Sequence, residues 1–305
     1  MRRSVTWFLA SSAAALVLLS ACGSNSSANS STGSGSQCPN NGTVRFGVEP
    51  FDDAAQLEPV YEQIGSLLSA KLGCTVQIIV TSNYTAEVEA MRAKKLEMGE
   101  FGPLGYVFAH KLAGAIPVAT FADKSGLPLT YTASIVTTPN TGIKTLAQVA
   151  GHTFAYSDPA STSGHLFPAY ALKSAGIDPN TGIKPEYAGS HSASFLAITN
   201  HKVDAGELNS DTIASTTKQG LYKASNYVTL WTSQQIPQDP ITVRGDLPNS
   251  FRQKVAQALW SIDLSQVTDP KGVLIGPKMI PQTNAPYQQI EDLAVQLNLD
   301  LTAIG

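Results

Sequence analysis

The sequence predicts an α/β protein of two lobes, with mainly parallel sheets flanked by helices, and three observations carry that prediction. Short strand-like and helix-like segments alternate along the chain. About 265 residues follow a polar N-terminal stretch, more than one ordinary core supports. Two extended, proline-bearing stretches, Pro128–Tyr131 and Ile236–Pro240, offer places where the chain can pass between lobes. Crossing twice makes the first lobe discontinuous, 41–130 plus 237–305, with 131–236 as the inserted second lobe.

The N-terminus is read first. Arg2 and Arg3 precede an apolar run from Val5 to Leu19, the pattern of a charged n-region and an h-region. The run is too short for a spanning helix. It closes on Leu19-Ser20-Ala21-Cys22, which resembles the bacterial lipobox, whose cysteine becomes the lipidated N-terminus of the mature protein. The expectation is a signal peptide over 1–21, lipid attachment at Cys22, and an extracytoplasmic protein anchored to the cell membrane. The residues after Arg2-Arg3 do not match a twin-arginine signal. From Gly23 to about Gln37 the chain is almost entirely Ser, Gly, Asn, Ala and Thr. Such a segment buries too little apolar surface to order itself, so 22–40 reads as a lipidated cysteine and flexible tether.

The globular elements then follow in order. Thr43–Val48 reads as a strand, and Ala54–Leu72 carries Leu57, Val60, Tyr61, Ile64, Leu67 and Leu68 at helical spacing until Gly73 stops it. Thr75–Val80 is a strand and Thr85–Lys95 a helix. The apolar Val118–Phe121 precedes a turn at Gly126–Pro128 and a strand over Tyr131–Thr137. Leu146–Val149 is a short helix, His152–Tyr156 a strand, and Leu166–Ala175 a helix. Ser192–Thr199 is helical, Val203–Glu207 a strand, and a last strand contains Tyr227–Trp231. No internal repeat is present.

Composition narrows the function. The formal net charge of -3 leaves no basic footprint for nucleic acid. Charged residues make up 14% of the chain, against a usual share of about 25%. Beyond the signal only Arg45, Arg92, Arg244 and Arg252 remain, so an anion bound here must rely on neutral dipoles. With Cys22 lipidated, Cys38 and Cys74 form an even pair in an oxidising compartment. Each lies just ahead of a strand, and parallel neighbouring strands would bring them into bonding range; two buried thiols are the other reading.

The segment Asp158-Pro159-Ala160-Ser161-Thr162-Ser163-Gly164-His165-Leu166-Phe167-Pro168 follows a strand and opens a helix. Proline is tolerated near a helix start, so Pro168 puts that start close to Gly164–His165. Three hydroxyls, free backbone amides and the positive end of the helix dipole then converge, chemistry suited to a tetrahedral oxyanion. Gly164 would let a ligand approach the backbone closely. A capped helix needs no ligand, and Ser and Thr are usual caps, so the residues alone leave both readings open.

This segment resembles the motif of phosphonate-binding proteins of ABC importers, a family that also includes phosphite and phosphate receptors. Ser82-Asn83-Tyr84, Phe101 to Tyr106, Tyr131, Ala188 to His191, Lys202 to Ala205, Asn209-Ser210-Asp211 and Ile236 to Pro240 fall in the family's order. The resemblance implies the type II periplasmic-binding-protein fold with a ligand cleft between its lobes. It implies that Ser161, Thr162 and Ser163 donate to the oxyanion and that Tyr84 and His191 complete its shell. Tyr131 would wall the cleft, and Asp211 and Asp239 would face a ligand's cationic end or accept from a protonated oxygen. Asp211 departs from the longer Glu of aminophosphonate binders, and Glu97 from a commoner Asp. The implied partners are an ABC permease with its ATPase and a small phosphorus oxyanion, with no cofactor, no metal and a monomeric receptor.

Other classes find less support. Ser215-Thr216-Thr217-Lys218 has the Ser-x-x-Lys spacing of penicillin-recognising enzymes without their companion motifs. Neither a Gly-x-Ser-x-Gly elbow, a His-Glu-x-x-His helix nor a Walker loop occurs, and His110, His152, His165, His191 and His201 are scattered. An exported hydrolase of phosphorylated substrates and a metal receptor on a related fold stand as the alternatives.

Overall fold

The computed structural model describes residues 38–304. The expected signal peptide, the lipid-attachment Cys22 and the tether as far as Gln37 lie outside the described residues. Among the described residues no helix is long and apolar enough to cross a membrane.

Strands β1 (Thr43–Val48) and β2 (Thr75–Val80) run parallel, Thr43 beside Thr75, and are connected by α1 (Ala54–Leu72). The Asp53 side chain accepts the Ala55 N–H at the start of α1, and Gly73 closes it in the left-handed region at φ 63°. Just ahead of the two strands, Cys38 and Cys74 are joined by a disulfide, their Cα atoms 5.7 Å apart. Next come α2 (Tyr84–Arg92), capped by Asn83, then β3 (Met98–Glu100), α3 (Pro103–Ala113) and β4 (Ala115–Ala122). The chain leaves through β5 (Thr130–Tyr131).

The insert comprises β6 (Ala133–Thr137), β7 (Thr153–Tyr156), α4 (Phe167–Ser174), β8 (Lys184–Tyr187), α5 (His191–Thr199), β9 (Ala205–Asn209), α6 (Ser210–Lys218) and β10 (Val228–Thr232). It returns through β11 (Ile236–Pro237), which pairs antiparallel with β5, Tyr131 opposite Ile236. Finally β12 (Pro240–Arg244), α7 (Asn249–Ser261), β13 (Lys278–Pro281) and α8 (Gln288–Gln296) complete the first lobe.

The larger sheet has the order β13-β4-β12-β3-β1-β2 and the smaller β10-β6-β9-β7-β8. Each has a parallel half, where βα units succeed one another, and antiparallel strands that finish it. Apolar clusters cover both faces of both sheets. The largest packs α1 and α7 on the first sheet around Phe46, Ile64 and Leu259.

Several boundaries differ from the sequence reading: the helix expected over Thr85–Lys95 ends at Arg92, and the strand expected over Tyr131–Thr137 is interrupted at Thr132. The strand expected over 203–207 lies at Ala205–Asn209, because the Asp204 side chain accepts the Thr153 N–H and hydroxyl in a turn ahead of it. The helix expected to start near Gly164–His165 starts at Thr162, as one π-helical turn over Thr162–Leu166 that runs into α4. Pro168 has no N–H to offer the Gly164 carbonyl, which instead accepts from the Ser157 N–H at 3.1 Å. The Leu166 N–H reaches back to the Ser161 carbonyl, also at 3.1 Å, which gives the turn its wider pitch.

Candidate functional site

A cavity of about 120 Å³ lies between the lobes, and all eight residues singled out in the sequence as ligand contacts line it. Its donor wall comes from the insert. Ser161 caps the π turn, its Oγ accepting the Gly164 N–H at 3.1 Å and lying 3.3 Å from His191 Nε2. Thr162 Oγ1 accepts the Leu104 N–H at 2.7 Å, and Ser163 Oγ accepts from Asn209 Nδ2 at 3.3 Å. Each oxygen therefore has an accepting position taken by a protein donor, which leaves its own O–H to donate. The amides of Thr162 and Ser163 are the first two of the helical segment and have no intrahelical acceptor. The cap and the candidate anion site are thus one structure.

Gly164 has a different role from the one its position implied. A Cβ there would stand 1.7 Å from Ser157 Oγ and 2.9 Å from His191 Cε1. The glycine makes room for its protein neighbours rather than for a ligand.

His191 is the first residue of α5 and 5% exposed. Its Nδ1 lies 3.0 Å from both oxygens of the buried Glu207. Burial alone would lower the imidazole, but the charge of Glu207 and the hydrogen bond to it more than reverse that and raise it. Protonated, the ring donates from Nδ1 to Glu207 and presents Nε2–H to Ser161 and the cleft. It is the sole His, Lys or Arg among the residues lining this cavity. The arginines among the described residues are engaged elsewhere: Arg45 with Glu97, Arg92 with Glu89, Arg244 with Asp246, and Arg252 with backbone carbonyls.

The opposite wall is acidic. Glu49, at the end of β1, and Asp239, ahead of β12, line the cavity, and Glu87 and Glu100 are buried in the same lobe. Burial, then the neighbouring Glu87 and Asp239, push Glu49 well above the usual carboxylate range. Glu87 is pushed the same way by burial and Glu100, and Asp239 by burial, Glu100 and Asp211. Glu100 is pushed up to about 8 by burial, partly offset by the Tyr61 hydroxyl, which donates to it at 2.6 Å.

Tyr84 and Tyr131 are buried between the walls, and burial raises both phenols well above their usual range. Hydrogen bonds from Ser163 and Thr162 offset part of the rise at Tyr131. Asp211, in the first turn of α6, accepts from Gln238 Nε2 at 2.9 Å. Four hydrogen bonds join the walls: Leu104 to Thr162, His191 N–H to the Phe51 carbonyl, Tyr84 N–H to Asp158, and Gln238 to Asp211.

Several lining residues escaped the sequence reading: Glu49, Phe51, Asp52, Asn209 and the apolar run Val273-Leu274-Ile275. Glu207 escaped as well; its one signal was a carboxyl inside a buried strand, which asks for a partner. Ser215 lines the cavity, but its hydroxyl donates to the Thr212 carbonyl while Lys218 Nζ donates to the Asp269 carbonyl. The Ser-x-x-Lys spacing therefore makes no catalytic pair. Of the five histidines only His191 reaches this cavity.

Two α/β lobes, crossed by two strands and closing on a polar cleft, define a periplasmic substrate-binding protein. The chain belongs to the family of ABC transporter phosphonate periplasmic substrate-binding proteins, whose model matches residues 46–274. It is 30% identical over 240 residues to the phosphate-import protein PhnD of Mycolicibacterium smegmatis, covering 75% of this chain and 73% of the relative. It is 25% identical over 269 residues to a probable ABC transporter phosphite binding protein, PhnD1, of Prochlorococcus marinus, covering 84% and 90%. The solved structure of that species' PhnD1 in complex with methylphosphonate has a TM-score of 0.74 at 24% identity, covering 84% of this chain and 98% of the other. The chain is thus the extracytoplasmic substrate-binding component of an ABC transporter for phosphorus oxyanions.

Proposed function

We propose that the chain captures phosphate, phosphite or a small phosphonate in this cleft and delivers it unchanged to the permease. Ser161, Thr162 and Ser163 donate to the oxyanion, aided by the first amides of the π turn. His191 adds a charged donor, Tyr84 and Tyr131 complete the enclosure, and Asp211 and Asp239 face the ligand's remaining substituent. The observation that carries this reading is the hydroxyl triplet, in which each oxygen accepts from the protein and so has its O–H left to donate, those of Thr162 and Ser163 toward Tyr131 at the same cavity. Asp211 is already engaged by Gln238, which favours a ligand without an amine. The relatives' ligands, phosphate, phosphite and methylphosphonate, support the same class.

Residues 41–130 plus 237–305 form one body and 131–236 the other, and β5 with β11 is the hinge between them. Cys22 carries the lipid that holds the monomeric receptor at the membrane, and labelled palmitate lost on Cys22→Ala checks this. Side-by-side calorimetric titration with phosphate, phosphite, methylphosphonate and 2-aminoethylphosphonate tests the ligand. Saturable binding with the ligand recovered unchanged supports a receptor. Binding of none of the four overturns the ligand class, and phosphatase turnover would favour a hydrolase.

A further inference from the structure

Glu49 is a buried acid met by the Gly102 backbone amide and by no cation. It is 2% exposed, lines the cavity, and its Oε1 makes no hydrogen bond within the protein. Its carboxyl is seated on glycines at the start of α3: a Cβ at Gly105 would stand 2.4 Å from Oε1, and one at Gly102 3.0 Å from Oε2. Behind it, Glu87 is seated likewise, with Gly47 and Gly99 clearing space for its Oε1. Four glycines thus house two carboxyl groups with no cation beside them.

The groups facing Glu49 make ionisation worse. Glu87 and Tyr84 come from α2, Asp239 from the approach to β12, and Asp158 from the insert. Asp52 and Asp211 also line the cavity, and His191, its one cationic side chain, is tied to Glu207 on the far wall. An ionised carboxyl would face one backbone amide and no cation, and would repel an incoming anion. A neutral carboxylic acid has an O–H to donate.

We propose that Glu49 is a ligand-contacting carboxylic acid, which keeps its proton in the folded protein and donates it in a hydrogen bond to the captured oxyanion. The proposal rests on the oxyanion reading above. It makes capture proton-linked: the acid wall becomes a donor wall while Glu49 is neutral, and turns against the anion once that proton is lost. Burial with Glu87 and Asp239 holds the proton to well above the ordinary carboxylate range, in keeping with this.

The test is titration of the parent, Glu49→Gln and Glu49→Leu with phosphite, phosphate and methylphosphonate from about pH 6 to about pH 9. The leucine has no donor and should lose about tenfold or more in affinity, as for one hydrogen bond to a charged group. The glutamine keeps a donor that cannot titrate, so it should bind within a few-fold of the parent near pH 6 and lose less affinity as pH rises. Parent-like binding by Glu49→Leu would show that the acid does not touch the ligand and overturn the proposal. So would coincident pH profiles for the parent and Glu49→Gln. If melting shows that Glu49→Leu does not fold, the glutamine profile decides alone. A parent that binds none of the three anions refutes the oxyanion reading instead.

Discussion

The two walls of the cleft solve opposite problems. The wall built on the insert gathers donors: three hydroxyls, the leading amides of a helical turn, and an imidazole over Glu207. The wall built on the first lobe gathers acids, Glu49 and Asp239 at the cavity with Glu87 and Glu100 behind. A helix terminus presents fixed dipoles that hold an anion at any pH. Buried carboxyls help only while protonated. On the proposed reading, the donor wall sets whether an oxyanion binds, and the acid wall sets which protonation state of the pair is tolerated.

Removing the donors should have the largest effect. Thr162→Ala with Ser163→Ala deletes two hydrogen bonds to a charged group, each worth about 1.5–3 kcal/mol before coupling, and calorimetry should show the combined loss. A double variant that binds like its parent would break the assignment of that wall. Crowding comes next. Gly164→Ala drives a methyl into Ser157 and His191, which should cost about 1–3 kcal/mol of stability on melting and weaken binding with it.

Glu207→Gln sharpens the comparison, since it touches the donor wall only through His191. The His191 pKa is raised in the folded protein, so its charge is present below that pKa and lost as pH rises through it. Without Glu207 the loss should begin at lower pH, and affinity near neutrality should fall by about tenfold. The acid wall shows itself in the pH dependence of stability. Its carboxyls are raised, so their stability contribution is complete below the unfolded pKa and is lost as pH rises toward the folded one. For Glu100 that window runs from 4.5 to about 8. Denaturant midpoints should fall across it, by at most about 1.4 kcal/mol per pH unit for one group, and Glu100→Gln should flatten the fall. A flat parent profile would mean that the acids are not held neutral.

The donor wall was readable from the chain because its parts are local. Ser161-Thr162-Ser163 are consecutive, and Pro168 signals a nearby helix start. Even there the start was misplaced by about half a turn, because the partner of the Gly164 carbonyl is Ser157, across a loop. The acid wall was not readable. Glu49, Glu87, Glu100 and Asp239 belong to four segments that meet only when β1, β3 and β12 align and α2 packs beside them.

By itself the sequence determined the α/β alternation, the extent of α1 with its Gly73 stop, and a hydroxyl-rich turn able to hold an oxyanion. These follow from periodicity, capping and backbone chemistry within a few residues. Tertiary structure decided that Tyr84, Tyr131, His191, Asp211 and Asp239 share one cavity with that turn, and that Glu207 lies under His191. It also placed Glu49, with no cation beside it, opposite the donors. The reason is physical: the charge state of a buried group depends on its neighbours in space and on the water they exclude, and neither is written in the order of the chain.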